Sequence, residues 1–361
     1  MTGLLPPLRD DLAGRRPYGA PQLAAAVRLN PTENPYPPSA GLVGDIAAAA
    51  AEAAAGLNRY PDRDAAGLRE DLASYLGHGL TGAQVWAANG SNEVIQQLLQ
   101  AFGGPGRSAL GFEPSYSMHP VISATTATRW VAGGREDDFR LEADKVVAAI
   151  AEHGSDVVFL TSPNNPTGTA LPLPVIEAAC AAAPGIVVVD EAYAEFARDS
   201  AGTALTLLPR FGGLVVVRTM SKAFALAGAR LGYLAGAPEV IAALQVVRLP
   251  YHLSALTQAA SIAALHHAPE MLAMVDDIAA QRDRMLRELP QLGFPVFESQ
   301  ANFVLFDGLD DPAATFRALL ERDILIRDVG IPGALRVTAG TAEETSFFLQ
   351  SLADLGPRGA R

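Results

Sequence analysis

Between residues 84 and 220, six short apolar runs, QVWAAN, RSALGF, TRWVAG, DVVFLTS, GIVVVDEA and LVVVRTM, are separated by stretches such as SNEVIQQLLQAF and LPVIEAACAAA. Strands this rich in Val, Ile and Leu have no polar face to give to water. They must be covered on both sides, and a helix between consecutive strands supplies the crossover that parallel pairing requires. The pattern predicts an α/β fold, a three-layer sandwich in which helices cover both faces of a mostly parallel sheet. A chain of 361 residues is too long for one simple core, so a second, smaller unit is expected beside it.

The flanking sequence supplies that unit. Residues 1–40 are Pro-rich, and prolines at 31, 35, 37 and 38 exclude a helix there, so this segment reads as an extended arm that joins the small domain. Residues 41–57 are Ala-rich and helical, and AAGLREDLASYLG places Leu68, Leu72 and Leu76 on one helix face. Residues 252–290 read as helices, with a long one from about Pro269 to Leu289. After it come strands FPVFES and ANFVLFDG, a helix at 311–322, strands ILIRDV and LRVTAG, and a last helix from 342. The expected division is 1–40 as arm and part of the small domain, 41–265 as the large domain, and 266–361 as a small α+β domain.

A net charge of −12 argues against a general nucleic-acid-binding role, which needs a basic face. The single cysteine, Cys180, lies in an Ala-rich helical stretch and reads as a core thiol; with no disulfide possible within the chain, a reducing compartment and a cytoplasmic location are expected. The opening TGLLPPLRDDLAGRR has no basic start followed by an apolar core, so it does not read as a secretory signal. No apolar run reaches the roughly 20 residues that span a bilayer.

Open α/β sheets bind ligands outside the carboxyl ends of their strands. Four of the expected strands end in unusual polar residues. The first leads through WAANGSNE into a helix opened by Ser91 and Asn92, where free N–H groups suit a phosphate; a plain N-cap is the alternative. The next polar end is FLTSPNNPTGT, a loop carrying Asn164 and Asn165. GIVVVDEAY runs into Asp190, with Tyr193 three residues on; a carboxylate at a buried strand end is unfavourable without a cationic partner. LVVVRTMSK ends in Thr219, Ser221 and Lys222, with Arg230 eight residues beyond Lys222.

One ligand uses all of these. Pyridoxal phosphate needs a lysine amine for its aldehyde and a buried carboxylate to keep its pyridine nitrogen protonated, roles that suit Lys222 and Asp190. Its phenolic oxygen suits Tyr193 and Asn165. Its phosphate suits Ser91, Asn92, Thr219, Ser221 and Arg230, and Tyr116 in GFEPSYSMHP can cover the ring face. Two further arginines, Arg327 in ILIRD and Arg336 in LRVTAG, end apolar runs and are costly to desolvate unless they meet anions. An ion pair with Asp323 or Asp328 is the alternative for Arg327. His119, His252, His266 and His267 show no metal-ligand spacing and read as ordinary residues; no metal is expected.

SPNNPTG, VVVDEAY and TMSKAFALAGARLGY together resemble the signatures of the fold-type I pyridoxal-phosphate aminotransferases, over nearly the whole chain. PYGAPQL, LNPTENPYPPS, GLNRYPDRD, AANGSNEVIQQLLQAFGGPGR, PSYSMHP, ANFVLF and ILIRDVG…LRVTAGT are similar to the histidinol-phosphate aminotransferase family. The resemblance implies transamination between L-histidinol phosphate with 2-oxoglutarate and imidazole acetol phosphate with L-glutamate. It implies that Lys222 carries the cofactor and moves the proton, that Arg336 binds glutamate carboxylate and substrate phosphate in turn, and that Tyr18 closes over that phosphate. It also implies a homodimer in which Tyr60 reaches the cofactor phosphate of the other subunit. The arm, with Asn34, is expected to lie over the substrate. Here the sequence departs from the family pattern Asn-x-Asn-Glu-Asn-Pro: residues 30–35 read NPTENP, with Thr32 at the middle asparagine.

Aromatic-amino-acid aminotransferase and threonine-phosphate decarboxylase share the cofactor motifs and are the alternatives. A nicotinamide dehydrogenase would need G-x-G-x-x-G at the first strand–helix turn, which NGSNEV is not, and no G-x-S-x-G of a hydrolase is present. A DNA-binding regulator on the same fold would need a basic helix-turn-helix segment, which is absent.

Overall fold

The computed structural model describes residues 7–15, 17, 19, 22–198 and 202–356. The arm contributes a two-residue strand, β1 (Val27–Arg28), and then crosses to α1 (Ala40–Ala55), whose N-terminus is capped by the Ser39 side chain accepting from Leu42 N–H. Next comes α2 (Ala66–Leu76), with Leu68, Leu72 and Leu76 buried as their spacing requires.

Seven strands then build one sheet. They are β2 (Val85–Ala88), β3 (Ser108–Glu113), β4 (Arg129–Gly134), β5 (Val157–Thr161), β6 (Ile186–Asp190), β7 (Leu214–Thr219) and β8 (Gly232–Gly236), in the order β2-β8-β7-β6-β5-β3-β4. The pairings β3–β4, β3–β5, β5–β6 and β6–β7 are parallel; β8 runs antiparallel to both its neighbours. Between the strands lie α3 (Ser91–Phe102), α4 (Met118–Thr125), α5 (Ala143–His153) and α6 (Leu173–Ala182), and after β8 comes α7 (Pro238–Val247). One sheet face packs on α3, α4 and α7, where Val94, Ile95, Leu98 and Leu99 are wholly buried. Burying each such side chain stabilises the fold by roughly 1.5–3 kcal/mol. The other face packs on α2, α5 and α6. The sheet is therefore the middle of three layers.

Beyond it, α8 (Ala255–His266) lies along α1, and α9 (Ala268–Gln291) leads to a C-terminal unit. There β9 (Phe303–Phe306) pairs antiparallel with β11 (Leu335–Thr338), and β10 (Ile324–Leu325) pairs in parallel with β1 of the arm. Helices α10 (Pro312–Leu320) and α11 (Ala342–Leu355) complete it.

Five segments depart from the sequence expectation or add to it. GYLAG forms β8, although Gly and Ala have weak strand propensity; burial on both faces between β2 and β7 overrides that preference. MHPVISAT and ADKVVAAIAEH are helices α4 and α5, which supply the coverage that the strands on either side need. FPVFES is not a strand: only Val296 makes an isolated bridge, to Phe306, and ILIRDV is reduced to Ile324–Leu325 with a bridge from Arg327 to Arg336. No helix among the described residues is long and apolar enough to cross a membrane.

Candidate active site

A cavity of about 700 Å3 opens at the carboxyl ends of the parallel strands, between the sheet, the arm and β11. It is lined by Ser91, Asn92, Tyr116, Asn165, Asp190, Tyr193, Thr219, Ser221, Lys222, Arg230, Arg327 and Arg336. Thus twelve candidates scattered over some 250 positions of sequence share one wall. Tyr60 and Asn34 do not line it. Tyr60 is 78% exposed and stacks on Tyr251 with centroids 4.3 Å apart, and the Asn34 amide is taken up by Ala223 O and Tyr36 N–H. Asn34 so placed fixes the arm's path rather than facing the cavity. Tyr18 lies outside the described residues.

Asp190 ends the middle strand of the sheet and is buried. Its partner is not a cation from the expected set but His119, whose Nε2 lies 3.1 Å from Asp190 Oδ2. The second carboxylate oxygen accepts from Ala192 N–H at 3.2 Å. His119 is itself held between Phe159, stacked at 4.5 Å, and the edge of Tyr116 at 5.3 Å. The expectation that His119 is an ordinary residue is therefore corrected: it is the side chain that meets Asp190. Nothing local in PSYSMHP signals this role; it follows only from the contact with Asp190.

The anion end is built from backbone as much as from side chains. The N-cap of α3 is Gly90, at φ 83°, with no side-chain cap, so Ser91 and Asn92 are the first helical residues and the N-cap alternative for them does not hold. Strand β8 presses on this turn so closely that a Cβ on Gly232 would overlap Ser91 N and Gly90 C. A Cβ on Gly90 would sit 2.5 Å from Arg230 Nη2, so the guanidinium lies directly over the helix N-terminus. Thr219 Oγ1 lies 3.0 Å from Ser221 Oγ and accepts from Ser221 N–H, which aims both hydroxyls at the same corner. Helix N–H groups, two hydroxyls and a guanidinium make a cradle for a phosphate. Tyr116 donates to Asn92 Oδ1 at 3.1 Å and so leans over the cavity from this end.

Lys222 Nζ reaches back to the arm, donating to Thr32 Oγ1 at 2.7 Å and Pro31 O at 3.1 Å, with the Tyr193 ring 5.9 Å away. Burial lowers its pKa to about 8; the Arg336 charge adds to the effect and Glu33 opposes it. An amine near that value exchanges protons readily at neutral pH. Tyr193 OH accepts from Asn165 Nδ2 at 3.0 Å and lies 3.1 Å from Thr32 Oγ1. Burial raises its pKa, so the phenol keeps its proton and can donate.

Arg336, on β11, donates to Asn165 Oδ1 and, at 2.6 Å, to Asn30 O, with its guanidinium 5.0 Å over the Phe303 ring. It thus joins the C-terminal unit, the arm and the loop after β5. Arg327 lies beside it through the strand bridge and makes no ion pair with Asp323 or Asp328 among the described residues. Behind Asp190, on the other side of the strand, Glu191 is buried against Arg218 at 2.7 Å, and Glu195 reaches the same guanidinium at 3.2 Å. Burial pulls Arg218 down, but the two carboxylates more than offset it, and its pKa is raised.

A lysine amine, a carboxylate and an anion cradle meet in one cavity at the strand ends of a mostly parallel sheet, an arrangement that suits a pyridoxal-phosphate enzyme. The chain belongs to the family of class I and II aminotransferases, whose model matches residues 26–352. It is 61% identical over 346 residues to a histidinol-phosphate aminotransferase of Thermobifida fusca, covering 96% of this chain and 94% of that protein. A histidinol-phosphate aminotransferase of Paenarthrobacter aurescens is 57% identical over 349 residues, with 96% and 94% covered. Among solved structures, histidinol-phosphate aminotransferase from Sinorhizobium meliloti in complex with pyridoxal-5'-phosphate superposes with a TM-score of 0.82 at 26% identity, covering 92% of this chain and 91% of that one. The residues present here fit that cofactor: Gly90 and Gly232 leave space where any Cβ would crowd the phosphate cradle, and the buried Asp190 and the Lys222 amine line the same cavity.

Proposed function

We propose that the protein transfers an amino group between L-histidinol phosphate and 2-oxoglutarate, the reaction for which its relatives of 57–61% identity are named. Pyridoxal phosphate, when bound, supplies an aldehyde that condenses with amines and a ring that takes up the electron pair of a deprotonated carbon. Lys222 would hold it covalently, Asp190 with His119 behind it would keep a proton on the ring nitrogen, and Tyr193 with Asn165 would hold the phenolic oxygen. Ser91, Asn92, Thr219, Ser221 and Arg230 would grip its phosphate, and Tyr116 would cover its face. With its lowered pKa, Lys222 is fitted to take the proton from the substrate α-carbon and return it. Arg336, with Arg327 beside it, meets the second anionic group, glutamate carboxylate in one half-reaction and substrate phosphate in the other; planar guanidinium suits both.

The observation that carries this reading is the pair of arginines, Arg327 and Arg336, entering from the C-terminal unit into the cavity that also holds Lys222 and Asp190. Steady-state assays with 2-oxoglutarate test it, comparing histidinol phosphate with phenylalanine and tyrosine, and following carbon dioxide release from threonine phosphate. Histidinol phosphate should win on kcat/KM by a large margin; a preference for the aromatic acids, or decarboxylation, would overturn the assignment.

The active form in this reading is a homodimer in the cytoplasm. Support comes from the exposed Tyr60–Tyr251 stack, with Leu57, Val246 and Leu249 also exposed. Tyr60 would then reach the phosphate cradle of the other subunit, and sedimentation of wild type against Tyr60→Ala checks both points. The division into an arm (1–40), a cofactor domain (41–265) and a C-terminal domain (266–361) is supported by the β1–β10 pairing, which attaches the arm to the C-terminal unit.

A further inference from the structure

Thr32 is buried, yet its backbone sits at φ 55°, a left-handed conformation that β-branched residues avoid. The surrounding structure holds it there by both polar groups of its own backbone. Its N–H donates to Thr338 Oγ1 of β11 at 3.2 Å, and its carbonyl accepts from Asn302 Nδ2, just before β9, at 3.1 Å. The hydroxyl that this conformation presents can be followed proton by proton. Thr32 Oγ1 donates its one hydrogen to Pro31 O at 2.7 Å. It must therefore accept from both of its other neighbours, Lys222 Nζ at 2.7 Å and Tyr193 OH at 3.1 Å. Tyr193 in turn accepts from Asn165. Thr32 thus holds the Lys222 amine by its hydroxyl and is itself held by its backbone to Thr338 of β11 and to Asn302, just before β9.

We propose that Thr32 is a positioning residue for Lys222: its hydroxyl oxygen holds the amine against the arm, and the clamps from Thr338 and Asn302 make that hold depend on the β9–β11 sheet. The inference rests on Lys222 as the reacting amine, but its central test does not. The groups facing Lys222 Nζ are known. Arg336 and Arg230 disfavour its charge, Glu33 favours it, and the Tyr193 ring lies beside it. Against these, Thr32 Oγ1 and Pro31 O are the acceptors that stabilise the charged form. Removing the Thr32 oxygen must then lower the pKa further.

The chain has two lysines, Lys145 and Lys222, so amine labelling reads the site cleanly. Lys145, ion-paired with Glu136 at 2.9 Å and not among the residues that line the cavity, is the internal reference. Cofactor-free, full-length protein is pulsed with acetic anhydride across pH, and each lysine is followed by peptide mass spectrometry. Thr32→Val keeps the β-branch and removes the oxygen. It should lower the labelling midpoint of Lys222 by about one pH unit and leave Lys145 unmoved. Thr32→Ser should restore the midpoint to within about 0.3 units of wild type. Thr32→Ala, which also lacks the oxygen but cannot overpack, repeats the measurement should the valine variant misfold. In the loaded enzyme, Thr32→Val should lower kcat by about tenfold with KM changed less than twofold, as expected for a misplaced amine. A Lys222 midpoint that stays put in both the valine and alanine variants, or that moves equally in the serine variant, overturns the proposal. So does a rise in KM at constant kcat, which would make Thr32 a substrate contact. If the midpoint shifts as stated while histidinol phosphate is not a substrate, the role of Thr32 stands and only the assignment of the reaction fails.

Discussion

Replacing Lys222 by methionine should make the cofactor-free protein more stable at neutral pH, and the gain should vanish in alkali. The ordinary lysine value of 10.5 falls to about 8 in the folded state, chiefly through burial and secondarily through Arg336. At about 1.36 kcal/mol per unit, the folded chain bears a penalty of about 3 kcal/mol wherever Lys222 is charged in both states. The direction follows from proton counting. Between pH 8 and 10.5 the unfolded chain holds a proton that the folded chain lacks, so stability rises with pH across that window. Below pH 8 the full penalty applies. Methionine fills a similar volume and carries none of it.

Urea unfolding of wild type and Lys222→Met, both stripped of cofactor, measures the difference at each pH. The variant's advantage should be about 2 kcal/mol smaller near pH 9.5 than near pH 6.5. Packing differences between lysine and methionine do not depend on pH and cancel in that comparison. A difference that is flat with pH, or that grows in alkali, would show that Lys222 is not held in a cavity hostile to its charge. The placement of the amine between Thr32, Tyr193 and Arg336 would then be wrong.

Gly232→Ala should cost at least about 3 kcal/mol in thermal or urea unfolding, because the added Cβ meets backbone of the α3 turn that cannot give way; Gly212→Ala, with nothing within 4 Å, should stay within about 0.5 kcal/mol. Glu191→Gln should destabilise by about 3–5 kcal/mol in the same assay, since the carboxylate accepts only donors, from Arg218, Thr203 and Ala204, and an amide NH2 would face one of them. His119→Phe preserves the stack on Phe159 but removes the group 3.1 Å from Asp190, and should lower kcat by about 10- to 100-fold with an unchanged circular-dichroism spectrum. A loss under twofold there would show that Asp190 needs no such partner.

The residues with functional character were legible because they break the pattern around them. Asp190 interrupts a run of Val, Lys222 follows another, and Arg336 punctuates an apolar strand; a polar group at such a place demands a partner. His119 escaped because nothing in PSYSMHP conflicts with an ordinary helix, and its meaning exists only against Asp190, 71 residues away. Nothing in the sequence separates Asn34 from the rest of an arm expected over the substrate, whereas its amide is consumed locally by Ala223 and Tyr36.

By itself the sequence determined the layers: Val- and Ile-rich runs with helices between them have one low-energy arrangement, a covered parallel sheet, whatever the details of register. It left open which long-range partners meet. The antiparallel β8, with its unpromising GYLAG, is a strand because it is buried between two others, and its glycine matters because α3 begins against it. The left-handed turn at Thr32 is imposed by Thr338 and Asn302, some 270 or more residues downstream. Local propensity acts over a few residues and is written in the chain; these contacts depend on closing loops of hundreds of residues, and only the packed tertiary structure selects them.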